Sequence, residues 1–216
     1  MSYRSAILGG LVAATAALLA RHAALTWGSD AAEPTDALPG DGLIPDPSVS
    51  ATRAITIAAP RSEVWPWLVQ LGWEHGGFYS YETLENLFGF DVHNAVAVSE
   101  AWQGLDVGDA VHVVERFALR VCQLVPDRYL VLLGTPDAVA ADSRPPFDFS
   151  WAFVLSELPP VDRGPVRTRL VVRERYRAHA VGGRAAIEAI QPVSFLMTQK
   201  MLRGIRDRVQ GAHPSA

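Results

Sequence analysis

Cysteine is nearly missing from this chain. Cys122 stands alone among 216 residues, so neither a disulfide framework nor a cysteine-based metal knuckle can form. It lies in the apolar run Val121-Cys122-Gln123-Leu124-Val125, where a thiol packs as a small hydrophobe. A surplus of positive charge is missing too: 19 Lys and Arg stand against 23 Asp and Glu, a formal net charge of -4. That balance lacks the electrostatic footprint of phosphate-backbone binding, and nucleic acid is not an expected partner. His75, His93 and His112 show no His-x-x-x-His spacing, and neither a Gly-x-Ser-x-Gly elbow nor a phosphate-binding glycine loop occurs. No metal and no cofactor is therefore expected. What the chain has in quantity is apolar side chain, 49% against 19% charged. That is enough to bury a substantial core in one domain or two small ones, and it excludes disorder for most of the length.

Three stretches differ in kind. Residues 1–27 form a hydrophobic leader in which residues 5–20 are uncharged, Arg21-His22 interrupts, and Ala23-Ala24-Leu25-Thr26-Trp27 resumes. As a helix the uninterrupted part covers about 24 Å, short of a hydrocarbon core of roughly 30 Å; extension to Trp27 reaches that length if Arg21 snorkels. No Ala-x-Ala cleavage site lies near Arg21-His22-Ala23, so an uncleaved single-pass anchor in the cell membrane fits better than a cleaved secretory signal. The remaining reading is an Ala-rich helix packed on the domain of a secreted or cytoplasmic protein. Arg4 favours an N-in orientation, while Arg21 and His22 on the far flank argue the other way. Residues 28–50 turn to Pro, Gly and acid, as in Leu38-Pro39-Gly40-Asp41-Gly42. Such a tether either holds a domain away from a membrane or lies along the domain's surface.

Residues 51–210 carry ordered pattern. Thr52 to Ala58 alternates as a strand, after which Pro60-Arg61-Ser62 offers Ser62 as a helix N-cap and Glu63 suits the dipole. Val64, Trp65, Leu68, Val69 and Leu71 form the apolar face of the short helix that follows, and Gly72 ends it. A second helix is predicted over residues 80–88. Strands are then predicted over residues 110–117, 119–125, 129–134, 148–158 and 168–179, separated by turn chemistry such as Pro126-Asp127-Arg128. Residues 185–209 have helical period, with Ile187, Ile190, Ser194, Met197, Met201, Ile205 and Val209 on one stripe, and Pro192 is expected to kink or restart the helix.

Strand, two helices, a run of antiparallel strands and a long helix make an α+β order. Together with Ala59-Pro60-Arg61-Ser62-Glu63-Val64-Trp65 at the first strand–helix junction, this order resembles the polyketide cyclase/START/Bet v 1 superfamily (SRPBCC). Trp65-Pro66-Trp67-Leu68-Val69-Gln70, residues 76–87, His93-Asn94-Ala95 and residues 168–173 resemble a bacterial branch of it. The resemblance covers about residues 51–209. It implies a helix-grip fold, an antiparallel sheet wrapped around the long C-terminal helix, with a cavity for a small hydrophobic molecule between them. It does not fix the chemistry, because carriers, receptors and cyclases share the fold.

Candidate ligand-binding residues follow from pattern. Tyr79, Tyr81, Glu85 and His93 lie in a stretch with more polar and aromatic groups than a plain core element requires, and Tyr81 and Glu85 are one helical turn apart. Between Arg167 and His179 the odd positions carry Arg167, Arg169, Arg173, Arg175 and Arg177, read as a solvated outer face or a surface for anionic headgroups. The even ones direct Glu174 and Tyr176 inward. A buried Glu174 must find a partner or hold its proton. Phe149, Trp151 and Phe153 alternate toward the same interior, Trp102 is placed to close a cavity, and Met197 and Met201 offer an adaptable helical wall. The leading functional expectation is binding or carriage of a lipid, polyketide or isoprenoid-like ligand beside a membrane. The alternatives are a cyclase/dehydratase using Tyr81, Glu85, His93 or Glu174 for proton transfer, and an interaction module using the arginine face or the acidic tether.

Overall fold

The computed structural model describes residues 3–81, 93–114, 117–134, 145–160 and 164–211. Its elements are α1 (Tyr3–Leu25), β1 (Val49–Ile57), α2 (Arg61–Val69), β2 (Ala110–Val114), β3 (Phe117–Val125), β4 (Tyr129–Gly134), β5 (Phe147–Leu158), β6 (Arg167–Ala178) and α3 (Val181–Val209). The predicted helix over residues 80–88 falls almost entirely outside the described residues.

The six strands form one antiparallel sheet in the order β1-β6-β5-β4-β3-β2. Hairpin connections put β2 to β6 side by side, and the first strand reaches the far edge by pairing with the last. The inner face of this sheet and the helices α2 and α3 enclose the main core, where Leu68, Leu130, Phe153, Leu170, Leu202 and Ile205 are fully buried. This is the helix-grip arrangement, with α3 lying against β1, β5 and β6.

Local details depart from the sequence expectation in instructive ways. The residue at the N-cap of α2 is Pro60, in extended backbone, so Ser62 falls inside the first turn and makes no cap bond; Glu63 does lie in that turn. Proline at the cap leaves no donor of its own to satisfy, which suits an extended residue just ahead of a helix. Trp67 is buried on α2, whereas Trp65 packs only partly against the core. Helix α3 runs through Pro192 without restarting. Its inward positions on either side of the proline, Ile187 and Gln191 before it and Thr198 and Met201 after it, are buried, and this packing outweighs one lost backbone bond. Ile190, expected on the buried stripe, is exposed, and Gln191 takes the inward place. Cys122 is half-buried at a register shift of β3, and burial pushes its thiol pKa up against a smaller opposing effect of Arg120.

The middle of the arginine face of β6, Arg169, Arg173 and Arg175, is not solvated, whereas Arg177 at its end is exposed. Residues 28–46 lie across this middle part and supply its counter-charges. Arg169 forks onto Glu33, with both nitrogen–oxygen distances 2.7 Å. Arg173, buried, donates to Asp41 at 2.7 Å, to the Asp36 carbonyl at 2.8 Å and to the Glu33 carbonyl. Arg175 reaches Asp41 at 3.0 Å and the Ile44 carbonyl at 2.9 Å. Thr52 and Thr56 of β1 complete the set from the neighbouring strand. Gly40, at φ 87°, rests on Val131 so closely that a Cβ there would collide with the valine side chain. Alternation correctly separated the two faces of β6, but a bare strand says nothing about what covers its outer face.

The membrane-anchor expectation is overturned as well: among the described residues no helix is long and apolar enough to cross a membrane. The residues that would lengthen the apolar run belong to the domain. Arg21 pairs with Glu188 at 2.7 Å instead of snorkelling. Leu25 is buried with Val49, Ala51, Tyr176 and Ile187, and the Trp27 ring packs against the core beneath Arg203, 5.2 Å from the guanidinium carbon to the ring centroid. From Gly9 to Ala20 the helix stands clear of the domain.

Removing one partner of a buried, multiply bonded charge costs about 3 kcal/mol or more. Arg173→Ala is therefore expected to lower stability by about 3 kcal/mol in chemical denaturation and to open residues 30–46 to limited proteolysis. Arg177→Ala, which loses only an exposed pair with Asp148, is expected to change stability by less than about 1 kcal/mol. Equal losses for the two would contradict the docking of the tether.

Candidate functional site: a cavity between sheet and helix

The helix does not fill the concave face of the sheet completely. A cavity of about 230 Å³ remains, lined by Phe78, Ser80, Val113, Val114, Phe149, Trp151, Glu174, Tyr176, Ser194, Met197, Thr198 and Met201. The register explains the sheet side. Phe149 pairs with Tyr176 and Trp151 with Glu174 across β5 and β6, so these four side chains share one face as cross-strand neighbours. Their rings interlock: Phe149 and Tyr176 centroids are 4.7 Å apart, Trp151 and Phe153 4.8 Å. On α3 the spacing of Ser194, Met197, Thr198 and Met201 puts one polar and one thioether row on the same helical face.

One end of the cavity is polar, and its carboxylate is fully satisfied, although Arg53 Nη2 behind it has no partner. Glu174 Oε1 accepts from Arg53 Nη1 at 2.9 Å and from the Thr198 hydroxyl at 2.7 Å. Its Oε2 accepts from the Tyr176 hydroxyl at 2.8 Å and the Ser194 hydroxyl at 2.5 Å. Four donors on one carboxylate use all the acceptor sites it normally offers. Arg53, 1% exposed, faces the 4% exposed side chain of Glu174, and also donates through Nε to the Ala24 carbonyl at the end of α1, at 2.9 Å. Burial, reinforced by the adjacent Glu174 charge and hydrogen bond, drives the Tyr176 pKa well above that of an ordinary phenol. Tyr176 thus stays a neutral donor.

A strained turn delivers the opposite wall. Tyr79 adopts φ 54°, a left-handed conformation uncommon for a bulky residue. Several contacts hold it there. Its hydroxyl accepts from Gln70 Nε2 at 2.9 Å and donates to the Trp67 carbonyl at 3.1 Å; its amide donates to Asn94 Oδ1; and Arg208 lies 4.9 Å over its ring. Gly204 of α3 lies so close that a Cβ there would strike the Tyr79 carbonyl. The turn points Tyr79 into the core and its neighbours Phe78 and Ser80 into the cavity. Burial also raises the Tyr79 pKa far above the usual value, with the Gln70 hydrogen bond and the Arg208 charge opposing it.

The sequence-predicted residues therefore separate. Trp151, Glu174, Tyr176, Met197 and Met201 come together around the cavity. Tyr79 is a core anchor beside it. Tyr81 is 41% exposed, with the Lys200 ammonium 5.6 Å from its ring centroid. His93 is exposed, and Glu85 lies outside the described residues. Trp102 does not close this cavity; it borders a separate hollow with His75 and Asp109, its ring 6.0 Å from the imidazole. Arg53, Ser194 and Thr198 were missed as a site. Strand parity with Ile55 and Ile57 would have turned Arg53 inward, since odd positions of β1 face the core.

No family model matches the chain, and no curated protein does. Solved structures are similar in shape at low identity. Protein MLL2253 from Mesorhizobium loti matches with a TM-score of 0.41 and 11% identity, over 77% of this chain and 100% of its own. Protein CV1439 from Chromobacterium violaceum matches with 0.41 and 15%, over 77% and 99%. The solution structure of CalU16 from Micromonospora echinospora matches with 0.43 and 14%, over 77% and 69%.

Two outcomes follow from the network. Glu174→Ala strands a buried guanidinium and is expected to cost about 4 kcal/mol, while Arg53→Met combined with Glu174→Leu recovers most of the loss; a double variant no more stable than the single one would show that the ion pair is not an isolated unit. Tyr79 and Tyr176 are both held protonated in the fold, so their stabilising contributions are whole below the unfolded-state pKa of about 10 and are lost as pH rises from there toward the folded values. Absorbance titration should find two of the five tyrosines silent until alkaline unfolding. Deletion of Tyr176 by Tyr176→Phe should then remove no step below that transition.

Proposed function

We propose that residues 51–210 form a ligand-binding domain of the polyketide cyclase/START/Bet v 1 kind, whose cavity holds a small hydrophobic molecule. The observation that carries this reading is the unfilled, aromatic-walled space between β5, β6 and α3, in a core whose other large side chains are closely buried. Interiors are normally packed without voids of this size. The space opens partly to solvent and leaves apolar side chains against water, and an apolar occupant would cover them. Met197 and Met201 supply a deformable wall. The polar groups at the end contribute orientation and little hydrophobic area.

Acid–base turnover has weaker support. Among the groups expected to transfer protons, Tyr81 and His93 are not part of the lining among the described residues, and Glu174 and Tyr176 are bonded to each other. The arginine face and the acidic tether, expected to dock a partner, dock each other.

Calorimetric titration with naphthalene is expected to show saturable one-to-one binding. Val113→Phe, which pushes a ring into the cavity, should weaken it at least tenfold without lowering thermal stability. Native mass spectrometry of protein purified from its own host should retain a small molecule. No saturable binding together with no retained molecule would overturn the reading.

A further inference from the structure

Resting on that reading, we infer that the cavity selects a neutral, two-ring-sized ligand and rejects the matching carboxylate. Size comes first. A dry cavity of about 150 Å³ accepts benzene, so 230 Å³ suits about two fused rings.

Charge comes second. Of the buried ion pair, Glu174 lines the cavity and Arg53 does not; the guanidinium lies behind the carboxylate, toward β1 and the end of α1. A ligand entering the cavity therefore meets the negative member. Among the described lining residues there is no Arg, Lys or His, so an anionic headgroup would be buried beside Glu174 without a counter-charge. In a site of low polarity that arrangement is strongly disfavoured.

Hydrogen-bond accounting comes third. The Tyr176, Ser194 and Thr198 hydroxyls donate to Glu174, and the Ser80 hydroxyl donates to the Met197 carbonyl at 3.3 Å. The indole nitrogen of Trp151 has no partner but is itself closed off from the surface. No hydroxyl proton of the described lining is therefore left to donate to a ligand, and a carboxylate brought in from water would lose its hydrogen bonds without replacement.

The test compares naphthalene, 2-acetylnaphthalene and 2-naphthoate by calorimetry on the full chain at neutral pH. The ketone is expected to bind at least 30-fold more tightly than naphthoate, and naphthalene within a few-fold of the ketone. Glu174→Gln, which removes the ligand-facing charge and leaves Arg53 uncompensated, should narrow or reverse the gap between ketone and naphthoate. Naphthoate binding as tightly as the ketone to the wild-type protein would overturn the inference while leaving hydrophobic binding intact. Failure of all three probes to bind would instead sink the ligand-binding reading and this inference with it. The wild-type ranking decides even if Glu174→Gln does not fold.

Discussion

The buried pair of Arg53 and Glu174 is the constraint from which the rest of the interior follows. Both side chains are almost wholly removed from water, and taking two charges out of water costs several kcal/mol per ion before their attraction repays any of it. The pair is tolerable because every acceptor site of the carboxylate is filled. The donors come from three elements: β1 supplies Arg53, β6 supplies Tyr176, and α3 supplies Ser194 and Thr198. The net stabilisation of such a network is small, but its geometric demand is large. Any rotation of α3 about its axis would withdraw one hydroxyl and leave a carboxylate oxygen short of a donor. The helix is thereby locked with Met197 and Met201 facing the sheet.

The same strand pair places a second buried cation on the opposite face. In β1, Arg53 points inward while Thr52 points outward to Arg173, and β6 does the reverse with Glu174 and Arg173. Each face of the β1–β6 ribbon therefore requires anionic partners, found within β6 on the inner face and in residues 28–46 on the outer one. Glu33 and Asp41 are the carboxylates that turn a row of arginines from a surface into an interior. This docking also fixes where the preceding helix ends. The Ala24 carbonyl is brought to Arg53 Nε, so the leader and the polar end of the cavity share one guanidinium.

Period-two alternation made much of this legible in the sequence. It assigned Glu174 and Tyr176 to the inner face, aligned Phe149, Trp151 and Phe153 with them, and separated the arginines from both. Helical period likewise brought Met197, Met201 and Ser194 to one side, because spacing within one element is a local property. What stayed hidden depends on pairings between elements. Arg53 reaches Glu174 diagonally, since Glu174 lies opposite Ala51 in the register, and no local pattern specifies that register. The acids of the tether find the arginines of β6 across more than a hundred residues. Tyr79 lies in the core beside the cavity because its left-handed backbone turns Phe78 and Ser80, not the tyrosine, toward it, and Trp102 lies elsewhere because the segment carrying it packs against His75.

A saturated carboxylate behaves as a wall and not as a reagent. For Glu174 to accept a proton from a bound molecule, one of its four donors would first have to leave, and the hydroxyl or guanidinium so displaced would lie buried without a partner. Each such orphan costs about 1–3 kcal/mol, more for the charged group. Tyr176 is no better placed, because its proton is held in the hydrogen bond to Glu174 and its phenolate would form beside that carboxylate. The hydrogen bonds that make the network stable are thus the ones a proton transfer would have to break. What the network presents to the cavity is a fixed polar end beside an aromatic wall, held in place by four hydrogen bonds from three elements.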